Sequence, residues 1–180
     1  METATATTWV IDPSHSEVQF KVKHLVISTV TGSFGQYEGQ LEAHGDDFTD
    51  AKITFSADIS SISTGAEQRD GHLKSAEFFD AEQFPKLTFV STGMTKTGED
   101  TYDVTGDLTM HGVTNPITLK AEYGGQTQDF YGQTKAGFEL TGTIKRKEFG
   151  LTWDGVTEVG AIVVSDDVKL VMNIQLTKQA

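Results

Sequence analysis

Short runs in which apolar and polar residues take turns make up most of this chain, and that two-residue period is the signature of strands buried on one face. Between Ser16 and Leu25, Val18, Phe20 and Val22 fall on one side and Gln19, Lys21 and Lys23 on the other. His24 is in phase with the apolar side. The rhythm returns in Val30, Gly32 and Phe34, then, after a shift at Gly35, in Tyr37, Gly39, Leu41 and Ala43, and again in Ile53, Phe55, Ala57 and Ile59. Further rows are Leu87 and Phe89; Tyr102, Val104, Gly106, Leu108 and Met110; Ile117, Leu119, Ala121 and Tyr123; and Phe138, Leu140, Gly142 and Ile144. The last and clearest is Val168, Leu170, Met172, Ile174 and Leu176. Turn residues separate the rows at Asp12-Pro13, Asp46 to Asp50, Lys96 to Asp100, His111 to Pro116 and Gly124 to Asp129. Phe149 to Ser165 reads as loop with a possible short strand. About eight antiparallel strands of this kind close into a barrel. A β-sandwich is the alternative, because period and turn spacing do not separate the two.

One stretch breaks the rhythm. In Ser60 to Pro85, Thr64 with Glu67 forms a capping-box pattern. The spacing predicts a helix over Ala66 to Ser75, then a turn of helix over Ala76 to Gln83, stopped by Pro85. This insertion carries Arg69, one of only two arginines, with His72, Leu73 and the rings of Phe78, Phe79 and Phe84. A barrel has two open ends, and an insertion with an apolar face is suited to plugging one of them. The three rings then either complete a packed interior or close over a cavity. A cavity needs room, which Gly32, Gly39, Gly106 and Gly142 in the inward rows would leave.

Composition narrows the partners. The 180 residues hold 14 Lys plus Arg against 26 Asp plus Glu, a net charge of −12, with no basic footprint for nucleic acid. There is no cysteine, which excludes disulfides and thiolate chemistry. No apolar run approaches the roughly 20 residues that span a bilayer. The first residues lack a basic and an apolar region of the secretory kind, so the chain reads as cytoplasmic. Met1 to Thr8 has nothing to bury and is expected to be a disordered tail ahead of a single domain over residues 9–180. His15, His24, His44, His72 and His111 show no metal-ligand spacing and are expected at turns and the barrel rim, with no metal. No nucleophile elbow, phosphate loop or dinucleotide fingerprint occurs.

The order of motifs along the chain resembles the YceI-like family of polyisoprenoid-binding proteins with a lipocalin-like barrel. The matching pieces are W-V-I-D-P-S-H-S-E-V-Q-F-K-V-K-H-L from Trp9, V-T-G-S-F from Val30, S-I-S-T-G from Ser61 and R-D-G-H-L-K-S-A-E-F-F-D from Arg69. F-P-K-L-T-F from Phe84, G-D-L-T-M-H-G-V-T from Gly106 and R-K-E-F-G-L from Arg146 complete the set. The resemblance implies an extended antiparallel barrel of about eight strands with a helical insertion across it. It further implies a long apolar pocket for a polyisoprenoid, isoprenoid quinone or fatty-acid derivative, and a homodimer.

With the apolar rows taken as inward, the expected tube is Phe20, Val22, Phe34, Phe89, Leu108, Met110, Leu119, Phe138, Leu140, Met172 and Ile174, closed by Phe78, Phe79 and Phe84. Arg69, His72, His24 and Arg146 are the candidates for a polar head group, although Arg69 could instead pair with Asp70 or Asp80 and hold the insertion down. The expected function is a non-enzymatic module that sequesters or carries a long-chain amphipathic lipid, its only cofactor-like companion. The alternatives are an enzyme acting on such a lipid through His24, His72 or His111, and a packed barrel that serves as a scaffold.

Overall fold

The computed structural model describes residues 6–25, 27–44, 48–152 and 164–179. Eleven strands form one sheet that closes on itself. They are β1 (Thr7–Ile11), β2 (Glu17–His24), β3 (Ser28–Phe34), β4 (Tyr37–Ala43), β5 (Lys52–Asp58), β6 (Ile62–Ser63), β7 (Lys86–Lys96), β8 (Thr101–Met110), β9 (Val113–Gln128), β10 (Thr134–Lys145) and β11 (Val164–Lys178). Eight of them, in the order β1, β4, β5, β7, β8, β9, β10 and β11, make a closed antiparallel barrel, sealed where β1 pairs with the end of β11. The sandwich alternative is thereby excluded.

Three runs of the wall are each broken in two. β1 pairs with the last residues of β11, Leu176 to Lys178, whereas β2 pairs with Val164 to Asn173 of the same strand. β4 and β3 are likewise the two halves of one run, parted at Gly35-Gln36, and β6 continues β5 onto β3. β2, β3 and the two-residue β6 extend the barrel wall beyond β11 on one side only. That lopsided upper wall is where α1 (Glu67–Lys74) and the turns after it belong.

The break between β1 and β2 is built by D-P-S-H-S. Asp12 caps a short 3-10 turn and accepts hydrogen bonds from the Ser14 N–H at 3.1 Å and the Ser14 hydroxyl at 2.6 Å. His15 Nδ1 lies 2.9 Å from its second oxygen. The buried Lys135 ammonium donates to the same oxygen at 3.1 Å and to Thr177 Oγ1 at 2.6 Å, tying the kink to β10 and β11. These bonds, Ser14 and His15 first, hold the Asp12 carboxyl well below the usual carboxylate range, outweighing its desolvation. Its stabilising effect is therefore complete above the unfolded-state value of about 3.9 and fades as pH falls toward the folded value. In melting curves against pH, wild type is expected to exceed Asp12→Asn by a constant margin from neutrality to about pH 5, a margin that shrinks below about pH 4.

Several boundaries differ from the sequence reading, each for a local reason. β1 begins at Thr7, so Thr7 and Thr8 of the expected tail pair with Ala43 and Glu42, and residues 1–5 lie outside those described. His111-Gly112 alone form the β8–β9 turn, with φ of 54° and 73°, the two positive angles of a type I′ hairpin. Pro116 is already inside β9, where β10 does not yet pair with it and no donor is missed. Gly124 is a bulge rather than a loop residue, since Tyr123 and Gly125 face successive residues of β10, and the loop itself is Asp129 to Gln133. Asp46, Asp47 and residues 153–163 lie outside the described residues, and β11 starts at Val164.

The helix falls within a residue of expectation, but its cap does not. Ala66 is the N-cap and makes no side-chain bond. Thr64 instead donates both its N–H and its hydroxyl to Asp70, at 2.8 and 2.6 Å. Residues 76–83 form hydrogen-bonded turns rather than helix, passing through Asp80 at φ 50°.

Candidate functional site

The barrel rows point as their alternation requires, apolar inward and polar outward. Asp107, Lys120, Glu122, Glu139, Lys169 and Asn173 are exposed on the outer wall. This is the reverse of a membrane-spanning barrel, whose outer band is apolar. Among the described residues, no helix is long and apolar enough to cross a membrane.

The interior is not filled. A cavity of about 530 Å³ runs along it, lined almost wholly by apolar side chains. Phe20, Val22, Phe34, Phe89, Leu108, Met110, Leu119, Phe138, Leu140, Met172 and Ile174 all line it. The glycines in the inward rows help make the room, by letting large side chains lie flat on the wall. A Cβ on Gly32 would come within 2.2 Å of the Phe20 ring, and one on Gly106 within 2.5 Å of the Phe89 ring. The same rows supply lining residues that the sequence reading left out, including Val18, Phe55, Val104 and Leu170.

One end is sealed by Phe48, from the β4–β5 connection. It is 3% exposed and sits edge-on to Trp9 and Phe138 at ring separations of 6.1 and 5.1 Å. An isolated aromatic in an acidic turn was the available signal for this plug. The insertion covers the other end. Leu73, Phe78 and Phe79 line the cavity from it, with Phe79 edge-on to Phe34 at 6.5 Å. Phe84 is not a lining residue. Its ring packs 5.1 Å from His111 and against Gly112, fastening the insertion to the β8–β9 turn. Phe84→Ala, at a half-buried ring, is expected to lower stability by less than the roughly 3–5 kcal/mol of a fully buried phenylalanine in chemical denaturation, while leaving the cavity's capacity for a ligand unchanged.

Polar side chains gather at the covered end. Lys23, His24, Gln68, Arg69, His72 and Arg146 all line it. Arg69 pairs with neither Asp70 nor Asp80; it donates through Nε to Thr64 Oγ1 and through an Nη to the Thr64 carbonyl, both at 2.7 Å. The Thr64 hydroxyl thus relays between Arg69 and Asp70. His72 is bonded to Glu77 and lies edge-on to Phe78 at 5.1 Å, which holds that ring over the cavity. Arg146 is 3% exposed and donates to the carbonyls of Ser165, Leu151 and Val164 at 2.8, 2.7 and 3.0 Å. Its guanidinium therefore clasps the chain on both sides of residues 153–163. His111 does not line the cavity; it bonds the Phe149 carbonyl at 3.3 Å. Among the described residues, no three His, Cys, Asp or Glu come together as a metal site.

A closed antiparallel barrel with a plugged floor, a helical cover and an apolar interior places the chain in the class of eight-stranded barrels whose interior is wide enough to hold one small ligand. Within that class the chain belongs to the YceI-like domain family, whose model matches residues 9–176. A UPF0312 protein of Staphylococcus aureus is 37% identical over 164 residues, covering 91% of this chain and 93% of that protein. The YceI protein of Campylobacter jejuni superposes with a TM-score of 0.74 at 32% identity, covering 100% of both chains. A polyisoprenoid-binding domain from Saccharophagus degradans superposes with a TM-score of 0.71 at 17% identity, over 98% of this chain and 100% of that one.

Proposed function

We propose that this protein binds and shields a long-chain amphipathic lipid, a polyisoprenoid, an isoprenoid quinone or a fatty-acid derivative, with its chain inside the barrel and its head group at the covered end. The observation that carries the reading is the apolar cavity of about 530 Å³ whose cationic and imidazole lining residues, Lys23, His24, Arg69, His72 and Arg146, fall at one end. Ligand pockets commonly span about 300–1,000 Å³. A five-carbon isoprene unit buried there contributes about 4 kcal/mol, at roughly 0.8 kcal/mol per CH₂. Affinity then follows chain length, and the polar end fixes orientation. His24, Arg69 and His72 are the residues assigned to the head group, with Arg146 engaged mainly by the carbonyls of Leu151, Val164 and Ser165. The similarity to a domain described as polyisoprenoid-binding supports a binder rather than an enzyme. The homodimer implied by the family resemblance belongs to the same proposal and is tested by sedimentation.

Displacement of a fluorescent fatty acid by unlabelled prenols of increasing length tests the reading. The affinity is expected to climb with each added isoprene unit until the cavity is full, then level off. An affinity independent of chain length would sink it.

A further inference from the structure

At its sealed end the cavity stops at one level on strand after strand. The inward row of β4 lines it at Leu41 but not at Ala43. On β8, β9 and β10 the last lining residues are Val104, Ala121 and Phe138, and the next inward residues, Tyr102, Tyr123 and Ala136, are outside the lining. Met94 of β7 lines the cavity at the same level, as the cross-strand partner of Val104. These five floor residues are all buried. Beneath them lies a layer of rings. Phe48 stands 6.1 Å from Trp9 and 5.3 Å from Tyr123, and Tyr123 in turn stands 5.2 Å from the floor residue Phe138. A close-packed layer of this kind yields little to an added group, so the floor does not recede before a ligand. Ala121, flanked across the strands by Tyr102 and Leu140, is its smallest side chain.

We propose that this floor is a length gauge: Ala121 and Met94, with Leu41, Val104 and Phe138 around them, fix the longest chain the barrel takes in and so select among lipids that share one head group. The inference rests on the lipid-binding reading above and adds what sets its specificity. Each apolar group that enters the barrel gains a similar burial, so affinity rises with length only while the tail falls short of the floor. Past that length the excess chain stays in water at the covered end and adds nothing. An apolar wall alone separates neighbouring chain lengths by a modest and roughly constant factor, whereas a fixed stop ends the gain at one length. Discrimination by length therefore belongs to side chains at the end of the cavity opposite His24, Arg69 and His72. Ala121 is the most sensitive of them, because any larger side chain there occupies the place of the ligand's tail.

The test displaces a bound fluorescent fatty acid with prenols of increasing length and reads the length at which affinity levels off, rather than affinity itself. Ala121→Phe sets a ring on the floor and is expected to shorten that length by about one isoprene unit. Met94→Ala opens the floor and is expected to lengthen it by about one unit. Prenols short enough to end above the floor bind both variants as they bind wild type. Val104→Met is expected to shorten the limit in the same sense as Ala121→Phe and takes its place if that protein does not fold. Variants that level off at the wild-type length, beside a wild type that does level off, overturn the gauge and leave the lipid-binding reading standing. A wild-type affinity that is independent of chain length overturns both.

Discussion

Met172→Trp is expected to abolish uptake of a long apolar chain while raising the thermal midpoint of the ligand-free protein. Met172 lines the cavity beside its cross-strand partner Leu140, so an indole there projects into open space. The space it takes is space that a ligand chain would use. Displacing even one isoprene unit removes about 4 kcal/mol of burial, on the order of a thousandfold in affinity. The sign of the stability change separates two accounts of the barrel. In a packed core the added volume costs about 1–3 kcal/mol through strain, whereas in an empty cavity it adds contacts and stabilises. A Met172→Trp protein that melts lower than wild type and binds as well would mean that the interior is a filled scaffold. Titration calorimetry with a prenol, beside a thermal melt, reads both quantities.

Arg146→Met is expected to be strongly destabilising. The substitution keeps much of the aliphatic stem but removes the donors that satisfy three carbonyls. A carbonyl left unpaired in a buried setting costs about 1–3 kcal/mol, the bond to Leu151 is buried and those to Ser165 and Val164 are partly so, and the sum is about 3 kcal/mol. For a domain of this size that lowers the melting midpoint by about 10 °C. Arg146→Lys should recover little, because one ammonium does not reproduce a planar fork serving the carbonyls of Leu151, Val164 and Ser165. A melt that moves by less than about 2 °C in Arg146→Met would show that the clasp is dispensable.

The inward rows were legible because each strand is buried on one face, and burial forces the two-residue period that also exposes it to reading. Val22, Phe89 and Leu108, read as inward from the period alone, line the cavity. What the period does not carry is anything set by partners far along the chain. Asp12 to Ser16 reads as a turn, yet it is a break within one continuous wall, recognisable only once β11 is seen to pair with both β1 and β2. Phe84 shares the composition of Phe78 and Phe79, but its ring goes to His111, because the turn through Asp80 redirects the chain before it enters β7. Lys23 falls on the outward phase beside Lys21, and its ammonium bonds Thr29 across the β2–β3 hairpin, a pairing that only the register of the two strands reveals. The motif R-K-E-F-G-L pointed to an anion site through its arginine, whereas the carbonyls that engage that arginine lie on segments that local spacing could not bring together.

The central claim is that the interior of this barrel is a lipid site, and native mass spectrometry of gently purified protein, followed by organic extraction and lipid mass analysis, tests it most directly. The account predicts a discrete added mass that extracts as a prenyl or acyl chain, and a delipidated protein that regains the same species when it is supplied. A clean unliganded mass, together with failure of the delipidated protein to take up any prenyl or acyl lipid, would contradict it.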